Sequence, residues 1–170
     1  RGITLKWKSE LIKEYAPKTG NILDFGCGTG DFLNHLRTKG YQVLGIEPNP
    51  TAREKANHIL QGKVSENLFG IKNNSLDIIT LWHVLEHVHT LNETLQNLKK
   101  CLSEKGLMII AVPNPDSHDA KKYGSNWAGY DVPRHLWHFT QETMNAHVIR
   151  NGLLIVAVKP MKLDSYYVSL

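Results

Sequence analysis

The sequence predicts an α/β fold, in which helices cover a central and mostly parallel β-sheet. Short apolar runs alternate with helical patterns of about ten residues, as in chains built from strand–helix–strand units. The runs are apolar throughout, as expected for parallel strands that are buried on both faces. A glycine-rich turn joins the first run to the next helix, which is typical of a ligand site at the carboxyl ends of the strands.

Five strands are predicted from these runs. Each is rich in Ile, Leu or Val and too short for a helix of ordinary length. The predicted strands are Asn21–Gly26, Tyr41–Glu47, Leu76–Trp82, Leu107–Val112 and Leu153–Lys159.

Helices are predicted between the strands from capping residues and apolar spacing. Asn49 caps a helix whose first residue is Pro50, a position where the missing N–H is harmless. Thr90 and Glu93 form a capping box before a series of leucines at helical spacing, and Gly106 ends that helix. Other helices are expected around Trp7–Tyr15, over 31–40 and from Thr140 to Asn151.

Length and composition indicate a single globular domain over 1–170. The chain has 170 residues, of which 41% are apolar and 21% are charged, enough for one sheet with its helices. The chain begins at Arg1 and stops at Leu170 without a closing signal. We therefore expect a piece of a longer protein, cut at both ends.

Charge and cysteine content exclude several classes of protein. The net charge of +4 comes from scattered lysines without a basic stripe, so no nucleic-acid partner is predicted. Cys27 and Cys101 lie in different predicted elements, which favours a reducing, cytoplasmic location over a disulfide framework. No apolar stretch approaches the length of a membrane span, and the oligomeric state is left open.

Gly26, Gly28 and Gly30 alternate where the first strand meets its helix. Glycine permits a sharp turn and a close approach of a ligand, and the following helix directs free N–H groups at that ligand. A dinucleotide site would carry the pattern G-x-G-x-x-G/A. Counted from Gly26, the last position of that pattern is Asp31, whose carboxylate would repel a pyrophosphate. A ligand without phosphates therefore fits better.

Glu47 ends the second predicted strand, at the same edge of the sheet as the glycine turn. A carboxylate there has two acceptor oxygens and can take both hydroxyls of a ribose. The position of Glu47 and its spacing from the glycines predict that role.

Four motifs, in order, resemble those of class I S-adenosylmethionine (SAM)-dependent methyltransferases. They are ILDFGCGTGDF, the Glu47 segment VLGIEPNP, NSLDIITLWHVLEHV and GLMIIAVPN. The later segment DVPRHLWHFT resembles a loop of the bacterial methyltransferase domain-23 group, relatives of the ubiquinone-biosynthesis O-methyltransferases. The resemblance covers about Asn21 to Thr140. It implies a three-layer Rossmann-like sandwich with strand order 3-2-1-4-5-7-6, of which strand 7 is expected to be missing from this sequence.

The resemblance also implies SAM as the cofactor, together with the residues that hold it. Asp24 would hold the loop or the methionine amino group, Glu47 would take the ribose hydroxyls, and Pro48 would lie beside the adenine. Ser65 and Glu66, in the weakest of the implied strands, are alternatives for the adenine amine. The implied cofactor-binding residues are Asp24, Gly26, Cys27, Gly28, Gly30, Glu47, Pro48, Ser65, Glu66, Trp82 and His83.

Three histidines are candidates for a catalytic base. Methyl transfer from SAM mainly requires positioning, and a base is needed only when the acceptor arrives protonated. His83 follows the fourth strand of the implied order. His135 and His138 lie in a segment expected to cover the site, where Arg134 and Trp137 would shape the acceptor pocket. We expect His135 to be the base.

A metal site is an alternative for some of these histidines. His83, Glu86 and His87 would share one helical face if a helix began there, and imidazole with carboxylate can bind a divalent ion. Histidines that line the cofactor pocket through hydrogen bonds explain the same pattern, so no metal is predicted.

The predicted function is transfer of a methyl group from SAM to a small-molecule acceptor, at oxygen. Two other functions compete with it. One is a non-catalytic module that keeps the fold to bind SAM or a partner, and the other is a nicotinamide-linked oxidoreductase, which Asp31 disfavours. The fold alone does not decide among them.

Overall fold

The structure is a computed structural model that describes residues 2–16 and 19–161. The chain divides into two compact units. The sheet unit contains the residues up to 82 together with 97–110, and the histidine unit contains 83–96 together with the residues from 111 onward. The expectation of a single domain stays a prediction.

A five-stranded sheet has the order β3-β2-β1-β4-β5. Its strands are β1 (Asn21–Phe25), β2 (Gln42–Ile46), β3 (Val64–Ser65), β4 (Leu76–Trp82) and β5 (Leu102–Ala111). β1 pairs in parallel with β2 and β4, and β2 pairs in parallel with β3. The parallel sheet and the first five positions of the implied strand order are therefore confirmed.

Six α-helices accompany the strands among the described residues. They are α1 (Gly2–Tyr15), α2 (Asp31–Arg37), α3 (Pro50–Leu60), α4 (Leu91–Cys101), α5 (His118–Tyr123) and α6 (Gln141–Arg150). The Asn49 side chain accepts the Ala52 N–H, which confirms its predicted cap, and the Thr140 hydroxyl accepts the Thr143 N–H at the start of α6. The capping box of Thr90 and Glu93 stays a prediction. None of the described helices is long and apolar enough to cross a membrane.

The core of the sheet unit lies on both faces of the central strands. Ile22 and Leu23 of β1 point to opposite faces, and both are fully buried. Leu33 and Leu36 of α2 are fully buried as well. Each such side chain contributes roughly 1.5–3 kcal/mol of hydrophobic stabilisation. Burial on both faces explains why these strands lack the polar alternation of a half-exposed sheet.

Two sequence-based expectations about the elements are wrong. α4 ends at Cys101 instead of Gly106, because the Asn74 and Ser75 N–H groups take the carbonyls of Lys100 and Cys101 and start the pairing with β5. The predicted strand Leu153–Lys159 lies outside any sheet. A strand needs a neighbouring strand, and in the order 3-2-1-4-5-7-6 the neighbour of the sixth strand is the seventh, which is absent from the described residues.

Candidate functional site

The glycine turn between β1 and α2 is built from left-handed backbone conformations. Gly26, Gly28 and Gly30 have φ values of 79°, 55° and 80°. A Cβ at Gly30 would lie 2.9 Å from the Leu60 side chain and 3.1 Å from that of Ala56, so Gly30 is required for packing against α3. A Cβ at Gly28 would meet nothing within 4 Å, so the space beside Gly28 is open to a ligand.

Glu47 is held against this turn by its own carboxylate. Its Oε2 accepts the Gly28 N–H at 2.8 Å, and its Oε1 accepts the Asn49 N–H at 2.9 Å. Each carboxylate oxygen has a further acceptor position after these bonds. The carboxylate is thus fixed beside the open face of Gly28, with one acceptor position left on each oxygen, and its expected contact with a ribose stays a prediction.

Arg53 of α3 fixes the chain that carries Glu47. Its Nη1 donates to the Glu47 carbonyl at 2.7 Å and to the Pro48 carbonyl at 2.8 Å, and its Nη2 lies 3.4 Å from the Glu66 carboxylate. The guanidinium therefore links the residues that follow β2 with the residue that follows β3. The sequence does not single out Arg53, because an arginine near the start of a helix has the pattern of a surface residue.

The two candidates for the adenine amine differ in their surroundings. Ser65 is the last residue of β3, and its carbonyl accepts the Glu47 N–H at 2.9 Å. Glu66 follows it with an exposed side chain that pairs with Arg53. Both residues lie at the same edge of the sheet as Glu47, and the choice between them stays a prediction.

Asp24 is buried in the middle of the sheet. Its side chain is 3% exposed, and its Oδ1 accepts the Thr80 hydroxyl of β4 at 2.6 Å. Burial raises the pKa of this carboxyl to about 7, against the opposing effects of the Thr80 hydrogen bond and the Lys8 charge. The observed bond joins β1 to β4, and the expected contact of Asp24 with the loop or the methionine amino group stays a prediction.

Cys27 contributes its backbone to the turn and its side chain to the core. Its N–H donates to the Ile46 carbonyl at 3.0 Å, and the thiol packs where a Cβ at Gly45 would lie 2.6 Å from Sγ. Burial raises the pKa of the thiol to about 12, so the Cys27 thiol is inert.

Trp82 ends β4 with its ring against α2. The ring meets Phe32 edge to face at 5.7 Å between centroids, and the Lys8 ammonium of α1 lies 4.5 Å from the Trp82 ring centroid. Trp82 therefore closes the core next to the glycine turn, at the carboxyl edge of the sheet. Its expected contact with the cofactor stays a prediction.

His83, the first residue of the histidine unit, has a strained backbone. Its φ is 57°, a value that residues with a side chain rarely adopt, and its N–H donates to the Ala111 carbonyl at 2.9 Å. Its Nδ1 lies 3.5 Å from the buried Glu86 carboxylate. Strain of this kind is concentrated at functional sites.

Glu86, His87 and His135 bring potential ligand atoms within 4.8 Å of one another. The His87 Nδ1 donates to the Arg134 carbonyl at 3.0 Å, and the His135 Nδ1 donates to the Gly129 carbonyl at 2.9 Å, since a carbonyl can only accept. Each ring thus keeps Nε2 as an acceptor. Among the described residues, this is the group that could hold a metal ion, and it contains His135 where the metal alternative drawn from the sequence had His83.

The segment with His135 and His138 is tied to the turn that follows β4. The Leu136 N–H donates to the Glu86 carbonyl at 2.8 Å, and the Trp137 indole N–H donates to the Val88 carbonyl at 2.7 Å. His138 donates from Nε2 to the Tyr130 carbonyl at 3.0 Å. In their neutral forms, His135 therefore carries its acceptor at Nε2, 3.8 Å from the Asp131 carboxylate, and His138 carries its acceptor at Nδ1.

Residues 5–158 match the family model of a methyltransferase domain, which is most of the chain. The chain belongs to this methyltransferase family. The chain is similar to an uncharacterized protein of Methanocaldococcus jannaschii, 33% identical over 112 residues, which are 64% of this chain and 48% of the relative. The ubiquinone biosynthesis O-methyltransferase of Rickettsia canadensis is 29% identical over 100 residues, 55% of this chain and 42% of the enzyme.

Solved structures of methyltransferases share the fold. A SAM-dependent methyltransferase from Mesorhizobium loti superposes with a TM-score of 0.67 at 21% identity, over 96% of this chain and 90% of that protein. The geranyl diphosphate C-methyltransferase of Streptomyces coelicolor, solved with S-adenosyl-L-homocysteine, gives a TM-score of 0.69 at 14% identity, over 89% and 59% of the two chains. The expectations of this family, this fold and SAM as its cofactor are confirmed at the level of the family. The chain spans about half the length of the curated relatives it matches.

Proposed function

We propose that this chain binds SAM at the glycine turn and Glu47 and transfers the methyl group to a small-molecule acceptor, at an oxygen atom. The observation that carries the proposal is the Glu47 carboxylate. It is fixed by the Gly28 and Asn49 N–H groups and keeps one acceptor position on each oxygen beside an unfilled space. The cytoplasmic location predicted from the two cysteines and the absence of a nucleic-acid partner are parts of the same proposal.

SAM, when bound, supplies an activated methyl group. The chain then has to position two reactants and exclude water. Glu47 would hold the ribose, Gly28 would admit the cofactor to the backbone, and Arg53 would keep Glu47 in place. The strands that end at the glycine turn and at Glu47 are buried on both faces. They therefore hold the residues that follow them in a rigid position.

The acceptor atom decides whether a base is needed. The relatives and fold neighbours include a ubiquinone biosynthesis O-methyltransferase and a geranyl diphosphate C-methyltransferase, so the fold serves more than one acceptor atom. A hydroxyl must lose its proton during transfer, which calls for a base. His135, His138 and His83 are the proposed candidates, and His135 is preferred because its Nδ1–H is fixed by a carbonyl, which leaves Nε2 as the acceptor, 3.8 Å from the Asp131 carboxylate.

Calorimetric titration with S-adenosylhomocysteine, with NAD in parallel, tests the cofactor. We expect micromolar binding of S-adenosylhomocysteine alone, lost in Glu47→Gln and kept in Glu54→Gln, an exposed carboxylate on α3. Binding of NAD alone would support the oxidoreductase instead. Binding of S-adenosylhomocysteine without transfer to any screened acceptor would support the non-catalytic module.

A further inference from the structure

A groove of about 610 Å³ opens on the histidine unit beside the start of α4 and along α6. Its apolar part includes Leu91 and Phe139, which are 7% and 6% exposed. His138, His147 and Arg150 line its polar part, together with one carboxylate, Glu93. The groove thus combines an apolar base with histidines and a single arginine, and it has the volume of a small-molecule site.

Trp137 presents a fixed aromatic face to this groove. Its indole N–H donates to the Val88 carbonyl at 2.7 Å, which sets the orientation of the ring, yet the residue is 40% exposed. An aromatic ring that is already immobilised binds a planar partner without a further loss of side-chain entropy. The ring is therefore suited to stacking.

Arg150 and His147 lie one turn apart at the end of α6. Arg150 forms no ion pair or side-chain hydrogen bond with the described residues, and the His147 Nε2 is enclosed without a hydrogen-bond partner among them. Burial lowers the pKa of the His147 imidazole, and the Arg150 charge adds to this effect. A buried polar atom without a partner costs about 1–3 kcal/mol, which a polar ligand group would relieve.

We propose that this groove binds a planar carboxylate, with its ring against Trp137 and its acidic group at Arg150 and His147. Arg150 is the single Lys or Arg side chain on the lining and forms no ion pair with Glu93 in the described part of the chain, which favours a single negative charge on the ligand.

Benzoate, neutral benzamide and non-planar cyclohexanecarboxylate are the probes. Their binding is followed by the indole N–H resonance of Trp137, assigned with Trp137→Phe because the chain contains four tryptophans. We expect benzoate to bind at least about tenfold more tightly than the other two, a difference of about 1.4 kcal/mol. The Arg150→Gln variant should lose this preference, while Arg37→Gln, which changes the last residue of α2, should keep it.

Benzoate that binds no better than benzamide, or that binds equally well to Arg150→Gln, would overturn the proposal, as would the absence of benzoate binding. Arg150→Lys keeps the charge and should retain part of the preference, which separates a loss of charge from a disturbed helix. S-adenosylhomocysteine is titrated into the same samples. If it fails to bind while benzoate binds as expected, the proposed function fails and the groove remains a carboxylate site.

Discussion

The Glu47 carboxylate accepts the Gly28 N–H at 2.8 Å, across 19 residues of sequence. This bond fixes the acid at the end of β2 to the turn at the end of β1. The two strands are parallel neighbours, so their carboxyl ends meet at one edge of the sheet. The geometry of the proposed ribose site is therefore set before any ligand arrives.

Gly28→Ala should abolish cofactor binding without unfolding the protein. The φ of 55° would cost the alanine about 1–2 kcal/mol, and its methyl group would fill the space assigned to the cofactor. Gly62 is a matched control, since its φ is 77° and a Cβ there would also meet nothing within 4 Å. Both variants should lose similar stability in urea, but only Gly28→Ala should lose S-adenosylhomocysteine binding. Equal binding in the two variants would contradict this placement of the cofactor.

Arg53→Lys should weaken S-adenosylhomocysteine binding by about tenfold, because an ammonium cannot serve two carbonyls and a carboxylate at once. Calorimetry measures the affinity, and thermal unfolding reports on the fold. Lys55→Met, an exposed change on the same helix, serves as the control. An Arg53→Lys variant with the affinity of the unmodified chain would show that the Arg53 hydrogen bonds stabilise the fold without affecting cofactor binding.

Asp24→Asn should stabilise the fold at neutral pH. Burial raises the pKa of Asp24 from 3.8 to about 7, so its contribution to stability is full below pH 3.8 and is lost as the pH rises to about 7. Asparagine keeps the acceptor for Thr80 without this loss. The stability difference from the unmodified chain should grow across this range by up to about 1.4 kcal/mol per pH unit.

Urea unfolding at a series of pH values measures the difference for Asp24→Asn. Asp116→Asn removes a carboxyl from an exposed loop and is the reference for a general change in charge. A difference for Asp24→Asn that stays constant from acid to neutral pH would contradict the raised pKa.

His135→Gln should reduce methylation of a hydroxyl acceptor by about a hundredfold or more, the usual contribution of a general base. The affinity for S-adenosylhomocysteine should be unchanged. His118→Gln is the control, because the His118 side chain is 89% exposed. Undiminished transfer by His135→Gln would rule this residue out as the base.

Treatment with a chelator distinguishes two roles for His135, as a catalytic base or as a metal ligand. No metal is predicted, so activity should survive dialysis against EDTA. A loss of activity that a divalent ion restores would instead assign Glu86, His87 and His135 as ligands.

The contact of Gly28 with Glu47 at one edge of the sheet was predictable because its signals are local. Gly28 and Glu47 each sit at the end of an apolar run, and parallel pairing brings such ends together without further information. Arg53 was not predictable, since its role depends on which way α3 faces. The pairing of His135 with His87 escaped prediction for a similar reason. It joins segments 48 positions apart whose irregular backbone has no periodicity to interpret.

The predicted strand from Leu153 failed because an apolar run specifies a strand only when a partner is present. Periodicity reports which side chains avoid water, and it cannot report whether a neighbouring strand supplies hydrogen bonds. The same limit explains the misplaced end of α4, where pairing with β4 overrides the glycine signal.

The segment after α6 exposes apolar side chains to solvent. Leu154, Val156 and Val158 are 90%, 71% and 57% exposed in a segment outside any sheet. Such a segment is a template on which another chain can add a strand. We expect self-association that increases with protein concentration, measurable by light scattering and suppressed by Val156→Lys.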